Sequence, residues 1–155
     1  MSNDQVYQLE RIAYPGLINP DWKVNYLLIR VKVSVNRRGG TSVTAPLLVD
    51  CGATFTSLSP KILETVGCDL SNPLKYVSIL TGSGIENRIP VFQVPWLGYK
   101  NHTKPNFPVL ALDLPKGSLW KGVLGMDFLE QCHGVISFAE GKIRFGSIVS
   151  MESAG

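Results

Sequence analysis

Leu47-Leu48-Val49-Asp50-Cys51-Gly52-Ala53-Thr54 runs an apolar segment straight into a carboxylate and then into a glycine. Leu47 to Val49 is apolar at every position, which suits a strand buried on both faces. A carboxylate at the end of such a strand is costly unless hydrogen-bond donors compensate it. Gly52 permits a tight turn that brings backbone N–H groups close to Asp50. Taken alone, the segment reads equally well as an Asx-turn that ends a strand.

Working outward, Tyr26 to Val35 alternates with period two. Leu27, Ile29, Val31, Val33 and Val35 fall on one face, and Leu28, Arg30, Lys32 and Ser34 on the other, the pattern of a half-buried strand. Asn36 to Gly40 reads as a hairpin turn into a partner strand over Thr41 to Val49. Ser59-Pro60 opens a short helix, with Ser59 as N-cap, Ile62, Leu63 and Val66 as its apolar face, and Gly67 as its stop. Tyr76 to Leu80 and Ile85 to Val94 read as strands flanking a tight hairpin tip, Thr81-Gly82-Ser83-Gly84. Phe107 to Leu112 is a further apolar strand. Val123-Leu124 is a very short apolar run closed by Gly125. Asp127 and Glu130 have the spacing of a capping box on a second short helix. Val135 to Phe138 and Lys142 to Ile148 form a last hairpin. The pattern predicts a mainly β fold of about eight strands and two short helices, closed or folded onto itself. Residues 1–22 read as an N-terminal arm or short edge strand, 23–148 as the domain, and 149–155 as a flexible tail.

Composition narrows the function. Charged residues are 17% and apolar residues 45% of the 155, a balance that excludes an intrinsically disordered chain. The net charge of +3 is spread along the sequence, so nucleic acid is not the expected partner. No apolar run reaches the length of a membrane-spanning helix, and no membrane partner is expected. Three cysteines without metal-ligand spacing argue against a zinc site or disulfide framework and for a reducing, cytoplasmic setting. His102 and His133 accompany no recognisable nucleophile motif. Trp22, Trp96 and Trp120 read as core or interface anchors rather than ligand platforms.

Three features in this order, the string LLVDCGATFTSLSP, the glycine-tipped hairpin at 81–84 and the string GVLGMDFLEQ, resemble the retropepsin-like aspartic proteases over roughly residues 24–146. The Gly-Met-Asp-Phe-Leu form is more similar to cellular and bacterial members than to retroviral ones. The resemblance implies a closed, barrel-like acid-protease fold and an aspartic-type endopeptidase acting on peptide or unfolded protein. It implies that Asp50 is the catalytic aspartate and that Gly52, Ala53 and Thr54 shape the substrate-binding loop. Thr81, Gly82, Ser83 and Gly84 become the flap tip over the substrate. Cys51, Leu124 and Gly125 become supports of the active-site loop, the last two in a psi-shaped crossing. No metal or organic cofactor is implied. Cys51 departs from the family, which carries Thr or Ser there to lock two loops across a dimer; a thiol is a weaker donor and acceptor.

Aspartic protease chemistry needs two carboxylates sharing a proton, and this sequence holds one such motif. Asp127 reads as a helix cap, and Asp113 as an exposed strand end. The second carboxylate is therefore expected from Asp50 of another copy, in a twofold homodimer. The alternative is a catalytically weak or inactive module of the same fold that binds extended peptides or a protein partner by strand addition.

Overall fold

The computed structural model describes residues 5–14, 18–35 and 41–146. Its elements in chain order are β1 (Gln5–Gln8), β2 (Glu10–Tyr14), β3 (Val24–Ser34), β4 (Ser42–Val49), β5 (Ser57–Leu58), α1 (Pro60–Thr65), β6 (Lys75–Thr81), β7 (Gly84–Tyr99), β8 (His102–Ala111), β9 (Gly122–Leu124), α2 (Met126–Gln131), β10 (Gly134–Ser137) and β11 (Lys142–Phe145). The fold is mainly β with two short helices. The turn read at Asn36 to Gly40, the last two residues of the strand read over Lys142 to Ile148, and the tail from residue 149 lie outside the described residues.

The long sheet runs β2-β3-β4-β9-β5-β8-β7-β6, and β3 pairs a second time, with β7 at Lys32 and Val33. That extra pairing closes β3, β4, β9, β5, β8 and β7 into a ring, with β2 and β6 outside it. The alternation of β3 explains how the ring is filled. Leu27, Ile29, Val31 and Val33 are buried, while Arg30 and Lys32 are exposed. Leu47 and Val49 of β4 enter the same core, with Leu97, Val109, Leu124 and Phe128.

Helix α1 forms as its sequence dictates: Ser59 Oγ accepts from the Ile62 N–H, Pro60 takes the first helical position, and Leu63 and Val66 are buried. The hairpin of β6 and β7 turns at Thr81 and Gly84, the tip read from the sequence. Strand β7 runs on to Tyr99, well past Val94, and β8 begins at His102, well before Phe107. Pro95 and Pro105 break the apolar alternation there, and proline is ordinarily a signal against strand. The N-terminal arm is two short edge strands: β1 pairs with β11 and β2 with β3.

β1, β11 and the β7–β8 turn meet in an aromatic cluster. Tyr7 stands edge-on to Tyr99 at 5.0 Å, and the His102 ring lies 4.7 Å from Phe145. The Tyr7 hydroxyl is 3.3 Å from His102 Nε2. His102 is thus the first residue of β8, set against aromatic rings. Burial, and then the charge of Lys104, push its pKa below the ordinary 6.5. Lys100 also lies close, over the Tyr99 ring at 5.7 Å. The folded chain therefore favours neutral His102. That stability is fully present above pH 6.5 and is lost as pH falls through the depressed folded value. In denaturant melts from pH 7.5 to 4.5, wild type should lose stability more steeply below about pH 6.5 than His102→Phe, which has no proton to bind.

Candidate active site

Asp50 follows directly on β4, and the parallel pairing of β4 with β9 sets Val49 beside Leu124. On the other edge of β9 runs β5, antiparallel, with Ser57 opposite Val123. The chain therefore leaves β4, loops through residues 50–56, and returns as β5 on the far side of β9. This is the psi-shaped crossing expected of the fold, and it brings Leu124 and Gly125 against the loop.

Backbone groups fix the loop. The Asp50 N–H donates to the Leu124 carbonyl at 3.1 Å, and the Ala53 N–H to the Asp50 carbonyl at 3.2 Å. The Gly52 N–H donates to Asp50 Oδ1 at 2.8 Å, the donor that the sequence argument required. Asp50 is half-buried, Ala53 is half-buried, and Cys51, Gly52 and Thr54 are exposed. Gly125 has to be glycine: a Cβ there would stand 2.6 Å from the Phe55 carbonyl carbon and 2.9 Å from the Ala53 oxygen.

The capping box expected at Asp127 and Glu130 is not what starts α2. Gly125 occupies the N-cap with no side-chain hydrogen bond, Asp127 is already the second helical residue, and Glu130 is exposed. The loop itself caps the helix. The Met126 N–H donates to the Ala53 carbonyl at 2.8 Å and the Asp127 N–H to the Thr54 carbonyl at 3.2 Å. These bonds satisfy donors that a helix start leaves open. The Asp127 carboxylate turns back to the loop instead. It accepts from the Thr56 N–H at 3.0 Å, from the Thr56 hydroxyl at 2.7 Å and from the Phe128 N–H at 2.8 Å. The Thr56 hydroxyl in turn accepts from the Gly125 N–H at 3.1 Å. Thr56 is wholly buried, so each of these partners matters. The pairing of Thr56 with Asp127 escaped the sequence reading because a local motif, the capping box, explained Asp127 sufficiently.

Residues 81–84, expected to be the flap tip, form their own hydrogen-bonded unit. Thr81 Oγ1 donates to the Gly84 carbonyl at 2.9 Å and lies 3.1 Å from Ser83 Oγ. Gly84 has φ +127°, a conformation that side chains disfavour. Leu80 and Ile85 flank the tip and are 83% and 69% exposed. Asp113 is exposed in the loop after β8. Among the described residues no group of three or more His, Cys, Asp or Glu could hold a metal. Of the three tryptophans, Trp22 is 73% exposed and is not a core anchor.

The sequence profile of the aspartyl protease family matches residues 31–128. The span contains β4, the Asp50 loop, the β6–β7 hairpin and most of the β9–α2 segment. The chain belongs to the aspartyl protease family. Its fold is similar to that of a retropepsin-like aspartic protease from Rickettsia conorii, with a TM-score of 0.58 and 20% identity, over 94% of this chain and 95% of that one. No curated protein sequence matches the chain.

Removing the Asp127 carboxylate leaves the buried Thr56 N–H without its acceptor. Asp127→Ala should cost about 1–3 kcal/mol, read as a drop in the denaturation midpoint. Hydrogen exchange of the Thr56 amide should speed up as well.

Proposed function

We propose that the protein is an aspartic endopeptidase in which Asp50 from each of two copies activates the hydrolytic water. The observation that carries this reading is Asp50 itself: a partly open carboxylate at the end of a buried strand, with one oxygen bound by the Gly52 N–H, in a loop pinned on both sides by β9 and α2. Neither other candidate supplies a second acid. Asp113 is exposed in the loop after β8, and Asp127 is engaged by Thr56 and Phe128. A twofold axis beside the loop would bring the two Asp50 carboxylates together. Two like charges a few ångströms apart do not both ionise cheaply, so the pair holds one proton. The ionised carboxylate takes a proton from water as the oxygen attacks the scissile carbonyl carbon. The protonated carboxyl donates to the carbonyl oxygen, giving the tetrahedral diol. As the diol collapses, the carboxyl that took the proton from water gives it to the departing nitrogen. The other carboxylate takes back a diol hydroxyl proton, so the C–N bond breaks and the pair again holds one proton.

The surface beside the loop supports a second copy. Cys51, Met126, Leu129, Gly134, Ile136 and Phe138 line a groove of about 240 Å³, and Phe138 is 62% exposed. Among the described residues β10 is an edge strand of the sheet β1-β11-β10, an edge that a strand of another copy could pair with. Thr81 to Gly84 close over the bound peptide, and Gly52, Ala53 and Thr54 lie along its backbone. A second reading rests on Cys51: its thiol locks the loops weakly, leaving a poorly active module that binds extended peptides.

A peptide-cleavage assay from pH 4 to 7 separates these. Wild type should cleave, and Asp50→Asn should fall by about 10³-fold or more. Cys51→Thr, gaining a hydrogen bond worth about 1 kcal/mol, should raise activity about fivefold. Binding without Asp50-dependent cleavage would favour the second reading. Sedimentation should find a dimer, and Phe138→Glu should weaken it about tenfold or more and reduce cleavage in step. A strictly monomeric, fully active enzyme would overturn the shared site.

A further inference from the structure

The β6–β7 hairpin carries one extra residue on its β7 side. Val77 pairs with Ile89 and Ile79 with Glu86, so Ser78 alone faces both Asn87 and Arg88. Two residues opposite one make a β-bulge, which bends the strand and re-aims its side chains. Arg88 takes φ +59°, a left-handed conformation that residues with a side chain disfavour. Contacts on one side of the hairpin hold the bulge. The Ser78 hydroxyl donates to Asn87 Oδ1 at 2.7 Å, and the Arg88 guanidinium lies 4.7 Å from the centre of the Tyr76 ring.

Strand β6 shows which side of the hairpin is turned to the Asp50 loop. Val77 lines a cavity of about 190 Å³ with Val91, Phe107, Val109, Asp127 and Phe55, and Phe55 belongs to the loop through residues 50–56. Val77, Ile79 and Thr81 are half-buried, whereas Tyr76, Ser78 and Leu80 are exposed. Alternate residues of a strand share a face, so Val77 and Ile79 are on the inner side and Tyr76 and Ser78 on the outer. Residues directly opposite one another on paired strands also share a face. Glu86, opposite Ile79, is therefore on the inner side. Without the extra residue the register would set Glu86 opposite Leu80, on the outer side. The bulge thus turns a carboxylate toward the space between hairpin and loop. Glu86 is exposed, and among the described residues no cation pairs with it. Arg88 is engaged on the other face by Tyr76. Lys75, which also lines the cavity, is four residues from Ile79 along β6, a span of ~13 Å.

We propose that Glu86 is a specificity-determining residue that selects a lysine or arginine side chain in the peptide held under the hairpin. The inference rests on the reading of Asp50 as the catalytic carboxylate and of residues 81–84 as a flap, and deepens it by naming a substrate class. A carboxylate accepts charge-assisted hydrogen bonds from an ammonium, or two at once from a guanidinium, and repels a second carboxylate. Closure of the hairpin over the peptide shields such a pair from water and strengthens it.

The test is a cleavage profile on a decapeptide library in which each position carries Lys, Arg, Gln or Glu in turn. It is run at the highest pH at which wild type still cleaves, so that carboxylates are ionised. Wild type should prefer Lys or Arg over Gln at one position near the cut by about tenfold in kcat/KM, and should disfavour Glu there. Glu86→Gln should bring the ratio of Lys to Gln peptides close to one, Glu86→Asp should keep part of it, and Glu86→Lys should turn the preference toward Glu. The ratio is the readout, so a general loss of activity does not imitate the effect. A ratio unchanged in Glu86→Gln, or a wild-type profile with no basic preference, overturns the role of Glu86 while Asp50-dependent cleavage keeps the protease reading intact. A wild type that cleaves no member, with Asp50→Asn indistinguishable from it, overturns both.

Discussion

Asp127 and Thr56 are 71 residues apart in the chain and are joined by hydrogen bonds to both the amide and the hydroxyl of Thr56. Everything that positions Asp50 passes through this contact or its neighbours. The Thr56 hydroxyl gives its proton to Asp127 and accepts from the Gly125 N–H, so one buried side chain ties the returning loop to the end of β9 and to the start of α2. Because Thr56 is wholly buried, water cannot replace these partners. The loop carbonyls of Ala53 and Thr54 complete the arrangement by receiving the first amides of α2. Loop and helix are thus each other's termination, and neither has a local substitute.

This mutual capping explains two features that look unfavourable in isolation. Helix α2 has only six residues and no side-chain cap, too short to hold by itself. It is held by the loop at one end and by packing along its length. Phe128 is fully buried, 5.7 Å from Phe107 and 6.4 Å from Phe145. Likewise, β5 has only two residues, yet it pairs with β9 on one side and β8 on the other. Gly122 is needed at that crossing, since a Cβ there would lie 2.1 Å from the Ser57 oxygen. The short elements survive because the ring of six strands closes around them.

The surfaces left open are as informative as the core. The groove beside Cys51 carries exposed apolar groups, Met126 and Phe138, next to the Asp50 loop. Scattered apolar residues on a protein surface need no explanation, but clusters beside one loop do. The basic residues of β3, Arg30 and Lys32, are exposed on the face away from the core.

The sequence by itself determined the β class, the frame of β3 and β4, the cap of α1, the glycine-tipped hairpin and the Asp50 motif. Each of these is written in neighbouring residues, as period-two alternation, an N-cap followed by proline, or a glycine after a carboxylate. The closure of the ring by β3 and β7, the strand pairing of β1 and β2, and the extension of β7 and β8 through Pro95 and Pro105 were decided only by the tertiary structure. These depend on partners far away in sequence, which supply the register that local pattern leaves unset. The same holds inside the site. Asp127 carries a helix-start signature, yet its carboxylate is drawn to Thr56, because an unpaired buried amide and hydroxyl cost more than an uncapped helix end whose amides the loop already serves.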